Sequence, residues 1–493
     1  MEWVTNQRAS VPRHVYELMR RGQFAEARVV LEGITGTRSL LERARIAFFL
    51  DSDFEECDRL IGMALEQDTT PAERSLGHAI ASCVAASVSG TCEQFDYATL
   101  AKAEPEELEE ITYFIAFSRY LCRDTEGAKR WIQFSASRDA GKRARRMLLL
   151  GFVHAAEDRF DLQARICQEA LALLESEAPM ETYTIANVAR SLALLVRDVP
   201  CTSGAERLEA LYQTLPEDTS HTRFHIGRGL GWAKALGGDP QTAMQHFVRC
   251  ATQTSDLMER AYVYLDYVNA AIFAKERFVK STSAVFCLAN EILSMFDWAS
   301  VTSDDIAILP LAAQAAAQVG FTDIARRYCD LATQRQPHVA SRYGLAHGNR
   351  LQSFLDESAA ITYFDVDKKR SLRHAGPAHD AFASMGFSWR AGRMALLIYG
   401  VTRSTQWKSQ AETHLAHYPN HPFQAQLNAV STRKLTAQQQ NVLDLVLRGL
   451  NTNEIAATLS LSPNTVRVHL GLVYRHHGVR DRYELLAKLA SVS

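Results

Sequence analysis

One unit recurs along most of the chain and restricts it to very few folds. A polar or glycine-containing turn is followed by an aromatic or apolar residue. A helical stretch comes next, in which a small residue precedes larger apolar ones. The unit opens at Gly22 (GQFAEARVVLEGI), Ser52 (SDFEECDRLIGMAL), Asp124 (DTEGAKRWIQFS) and Asp158 (DRFDLQARICQEALALL). It returns at Gly238 (GDPQTAMQHFVRCA), Glu276 (ERFVKSTSAVFCLANEIL) and Gly320 (GFTDIARRYCDLAT). Most units follow another apolar helical stretch, such as ARIAFFL, YFIAFSRYLC or LPLAAQAAAQV. The pairs recur at irregular intervals of about 35–45 residues, and the period-2 alternation of strands is scarce. An amphipathic hairpin cannot bury its apolar face alone, so neighbouring hairpins must stack. The pattern predicts an all-α solenoid of helical hairpins over residues 12–418.

These hairpins resemble degenerate tetratricopeptide repeats, with most of the helix-ending prolines of that family missing. The resemblance implies an extended concave surface suited to a helix or an extended peptide. From Tyr418 the pattern breaks in YPNHPFQAQLNAVSTRK, where two prolines and a polar run predict a linker at residues 419–434. Charge divides at the same place. From Ser431 onward there are eight Lys/Arg against four Asp/Glu, a net +4. The rest of the chain carries 46 basic and 52 acidic residues, a net −6. A small positive module follows a larger acidic body.

The module occupies residues 435–493 and reads as four short helices. Thr436 with Gln439, and Asn451 with Glu454, have the spacing of capping boxes. Gly449 suits the end of the first helix. Ser462 caps the third helix, and Pro463 takes its first position, where a missing N–H costs nothing. On that helix Val466, Leu470 and Val473 make one apolar stripe. Asn464, Arg467, Gly471 and Arg475 make another, with Val468 beside it. Two helices joined by a short turn, the second offering donors and positive charge, have the geometry that reads a DNA major groove.

The stretch LTAQQQNVLDLVLRGLNTNEIAATLSLSPNTVRVHLGLVYRHHGVRDRYEL resembles the LuxR/FixJ/GerE-type DNA-binding domain of bacterial transcription regulators. The resemblance rests on Leu435-Thr436, Val442-Leu443, Gly449-Leu450, Glu454-Ile455-Ala456, Leu459, Ser462, Thr465-Val466, His469-Leu470, Gly478-Val479 and Arg482. It implies that double-stranded DNA is the partner. Arg467 and Val468 would touch bases, and Thr465, His469 and Arg475 would touch phosphates or groove edges. It also implies a homodimer through a fourth-helix stripe of Leu485, Leu489 and Val492. The chain departs from the family at Gln438-Gln439 (usually Arg-Glu), Asn453 (usually Lys), His476-His477 (usually Lys-Leu) and Gly471 (usually polar or basic).

No catalytic constellation emerges. The string SRDAGKRARR around Gly141 lacks the upstream glycine and the Ser/Thr of a phosphate-binding loop. Its basic residues read as a solvated helix face or as a second nucleic-acid patch. The nine cysteines have no C-x-x-C pair and no zinc-type spacing with His476-His477, so no metal or other cofactor is expected. Most of them fit a helical core in a reducing compartment, with Cys83 and Cys92 as a conceivable redox pair. No signal-type or membrane-spanning apolar run occurs, and a cytoplasmic protein is expected. The layout is similar to that of maltose-regulator-like proteins without their ATPase. Two readings stay open. One is a regulator whose array senses a peptide or protein and controls the DNA-binding module. The other is an interaction scaffold with a degenerate or only non-specifically DNA-binding terminal domain. Neither is an enzyme.

Overall fold

In the computed structural model, every regular element among the described residues is helical. Those residues are 11–96, 100, 104–134, 137–214, 220–271, 279–299, 307–343, 345–418, 427, 435–477, 479, 481–482 and 484–486.

Many of the hairpin turns share one local solution. In eight turns a residue with left-handed φ stands two positions before the next helix. Gly22 (φ +78°) precedes helix Phe24–Glu32, and Gly238 (+88°) precedes Pro240–Gln253. Gly320 (+87°) precedes Thr322–Tyr343, and Gly386 (+75°) precedes Ser388–Thr402. Ser52, Arg123, Asp158 and Arg403 hold the same position before Phe54–Leu65, Thr125–Phe134, Phe160–Glu177 and Thr405–Leu415, with φ between +51° and +62°. The following N–H turns back onto the helix just ended. Gln23 donates to the Leu18 carbonyl, Asp239 to Lys234 and Phe387 to Phe382, each at 2.9 Å. This satisfies helix-terminal carbonyls that would otherwise lack donors and returns the chain against itself. In three turns the next residue is an aspartate that caps the new helix. Asp53 accepts from the Glu56 N–H at 3.0 Å, Asp124 from Gly127 at 2.8 Å and Asp239 from Thr242 at 3.1 Å.

The hairpins stack in order, but the stack also closes on itself. Buried residues between Ala144 and Leu230 share one apolar cluster with residues between Ala360 and Ile398. Phe160 and Phe387 lie with ring centroids 4.8 Å apart. The Arg350 guanidinium spans Asp158 Oδ1 (2.8 Å) and the Ala155 carbonyl (3.0 Å), over the Phe160 ring. Arg390 Nε donates to Asp198 at 2.6 Å. The first hairpin is drawn in as well, through Phe24 against Tyr183 (4.7 Å) and Arg20 against Glu181 (2.9 Å). Over these repeats, contacts between middle and late hairpins add to the stacking of sequence neighbours.

Several sequence expectations resolve within the array. The basic string around Gly141 is committed to helix contacts. Lys142 reaches Glu109 (3.3 Å) and Arg143 reaches Glu177 (3.3 Å). Arg146 is buried and donates to the Ile132 and Glu109 carbonyls. These three side chains serve packing between hairpins and do not form a free basic patch. Cys83 is fully buried, its Sγ 3.2 Å from the Phe114 carbonyl, and burial pushes its thiol well above the usual range. It is a core residue rather than half of an accessible redox pair. Within the expected linker, Leu427 is described, and it is fully buried beside Trp389, Leu415 and Tyr418. The rest of residues 419–434 lies outside the described residues. No helix among the described residues is long and apolar enough to cross a membrane.

Candidate nucleic-acid interface

The terminal module is built from its caps inward. Thr436 accepts from the Gln439 N–H at 3.3 Å, and the Gln439 side chain accepts from the Thr436 N–H at 2.9 Å. Gln439 therefore closes the box. Helix Ala437–Leu447 ends at Gly449 (φ +90°), where the Gly449 N–H meets the Val446 carbonyl (3.0 Å) and Leu450 meets Leu445 (3.1 Å). These two bonds make the left-handed stop that glycine favours. Asn451 Oδ1 then accepts from Asn453 (3.0 Å) and Glu454 (3.1 Å), while Glu454 accepts from the Asn451 N–H at 2.7 Å. Helix Thr452–Leu459 follows.

A short turn carries Ser460 at φ +53°, and the Leu461 N–H returns to the Ala456 carbonyl at 2.9 Å. The third helix, Pro463–His477, starts on Ser462, whose hydroxyl accepts from the Thr465 N–H at 3.0 Å. The two helices and their turn thus form the expected helix-turn-helix, and every cap read from spacing is made.

The faces of the third helix separate cleanly. Val466 and Val473 are fully buried and Leu470 is 6% exposed. They pack with Val442, Val446, Ile455 and Leu485 in a cluster of the module's own. Asn464 and Arg467 are exposed, and Val468 is 60% exposed. A Cβ built at Gly471 would meet nothing within 4 Å, so the face is flat there. Thr465 is half-buried, with its hydroxyl 2.8 Å from Ser462 Oγ, which engages it in the cap. His469 is half-buried, and its buried Nδ1 finds no partner among the described residues. Helix Pro463–His477 carries the Arg475 backbone, but the Arg475, His476 and His477 side chains lie outside the described residues.

Of the expected dimer stripe, one residue, Leu485, is described. It is fully buried in the single chain's own core. Leu489 and Val492 lie outside the described residues. One contact escaped the sequence reading. Arg482 donates to the Leu450 carbonyl (2.7 Å) and the Val446 carbonyl (3.2 Å), tying the last segment to the end of the first helix. Cations favour the carbonyl end of a helix, but chain separation hides this pairing.

Residues 433–489 match the family described as bacterial regulatory proteins, luxR family. No curated protein matches the chain. The chain thus carries, at residues 433–489, a helix-turn-helix domain of the luxR family of bacterial regulatory proteins.

Proposed function

We propose that the protein is a DNA-binding transcription regulator in which the helical array receives a signal and controls the terminal helix-turn-helix. The luxR-family match supports DNA binding. The observation that carries the reading is the division of the third helix, with its apolar stripe sunk in the core and Arg467 and Val468 held outward. A helix fits the major groove, where an arginine can pair bidentately with guanine and a valine can meet a thymine methyl. In this reading Arg467 and Val468 select bases. Asn464, Thr465, His469 and Arg475 fix the register against phosphates and groove edges. Gly471 lets the backbone approach without reading a base. The +4 charge from Ser431 onward supplies sequence-independent attraction. A homodimer would present two such helices to half-sites one helical turn apart.

For the signal, a peptide or protein partner on the array fits the solenoid resemblance, whereas the closed junction between middle and late hairpins favours a ligand held inside. The deciding experiment selects bound sites from a random duplex library with the purified full chain. A defined site should emerge and bind about 10³-fold or more above random duplex. If no sequence is enriched, the scaffold reading takes over.

A further inference from the structure

Where the array closes on itself, it leaves a cavity of about 160 Å³ between helices that are far apart in the chain. Arg197, Arg228 and Arg390 border it, together with Gln314. Their charges are anchored from behind. Arg197 lies 3.0 Å from Asp198 and 3.7 Å from Asp266, and Arg228 bonds Asp266. Arg390 bonds Asp198 at 2.6 Å and also Glu357, while Arg393 lies 3.8 Å from Glu357. Four guanidiniums therefore share three carboxylates, an excess of one positive charge. Three guanidiniums reach the cavity, and none of the three carboxylates lines it. His225 also borders it and faces Glu259 at 3.9 Å.

The rest of the lining is apolar and aromatic, with Leu194, Leu311, Trp232, Tyr262 and Phe354. Trp232 is 6% exposed, and its buried indole N–H has no acceptor among the described residues. An unpaired buried donor is costly, and here it stands beside a surplus of cation. Gly229 brings the walls together, since a Cβ there would come within 2.6 Å of the Ala193 carbonyl.

We propose that this cavity binds a small aromatic monocarboxylate. The space matches one aromatic ring with a short acidic group, for an apolar cavity of about 150 Å³ holds benzene. One negative charge balances the excess cation, and carboxylate oxygens accept from guanidinium forks and an indole N–H. A ligand of this kind competes with Asp198 and Glu357 for Arg390. That residue sits on helix Ser388–Thr402, one helix before the segment leading to the DNA-binding module. Its role as the signal rests on the regulator reading above, whereas the binding itself does not.

The test is calorimetric titration of the full chain with benzoate and phenylacetate, with benzamide as the uncharged control. One of the acids should bind saturably at one site, and benzamide at least tenfold more weakly. Leu194→Trp fills the cavity from a half-exposed position without touching the ion pairs. It should abolish binding while circular dichroism and thermal midpoint stay as in the parent. The proposal falls if neither acid binds, if benzamide binds as tightly, or if the folded Leu194→Trp variant binds like the parent. DNA affinity is measured on the same samples. Its absence alongside intact acid binding would sink the regulator reading and leave the binding site standing.

Discussion

Val466 and Arg467 are neighbours in the chain with opposite duties, one fully buried and the other exposed. Substitutions should separate them. Arg467→Ala removes a base contact and should cost about 1–3 kcal/mol at the preferred site with unchanged melting. Leu470→Ala empties part of the module's core and should destabilise it by about 2–5 kcal/mol. Competition binding and thermal melting of both variants check this, and a destabilised Arg467→Ala would move that residue into the core. A second residue-scale prediction concerns pH. Glu110 sits between Arg38 (2.5 Å) and Arg45. Burial pushes its carboxyl up, but Arg45 and Arg38 pull harder and hold it at about 2. Unfolded, it titrates near about 4.3, so its contribution is complete above that pH and fades as pH falls toward 2. Glu110→Gln should therefore melt below the parent at pH 7, with the difference closing under acid. A constant difference down to pH 2 would refute the pairing.

At the scale of the element, helix ends carry much of the specification. Asn451 serves two N–H groups and completes a box with Glu454. Asn451→Ala should cost about 0.5–2 kcal/mol of module stability, measured by chemical denaturation. A neutral result would mean that water replaces the side chain there. Such caps were legible because they depend on spacing along the chain. The array's turns were legible from their polar or glycine openings, but the left-handed backbone itself was legible only where glycine marks it, as at Gly22, Gly238 and Gly320. Ser52, Arg123, Asp158 and Arg403 adopt the same left-handed backbone without a residue that requires it. There, hairpin packing overrides local preference. Third-helix faces could be read because buried and exposed residues alternate with the helical period. Arg482 and the junction at Arg390 could not, because their partners lie 32 to 192 residues away.

For the whole molecule, the module has a hydrophobic cluster of its own. A fragment from about Ser431 should fold alone and bind DNA weakly, with affinity falling steeply as salt rises. Circular dichroism and salt titration check this. A fragment without helix would mean that the module depends on the array. A simple stack of repeats behaves as a one-dimensional system in which each hairpin depends only on its neighbours. The junctions from Asp158 to Arg350 and from Asp198 to Arg390 break that rule. Contacts so remote in sequence must wait for a long loop to close, which slows folding and couples distant parts into one transition. A chain cut after Tyr343 should therefore lose amide protection in helix Phe160–Glu177, although every hairpin bordering that helix in sequence is still present.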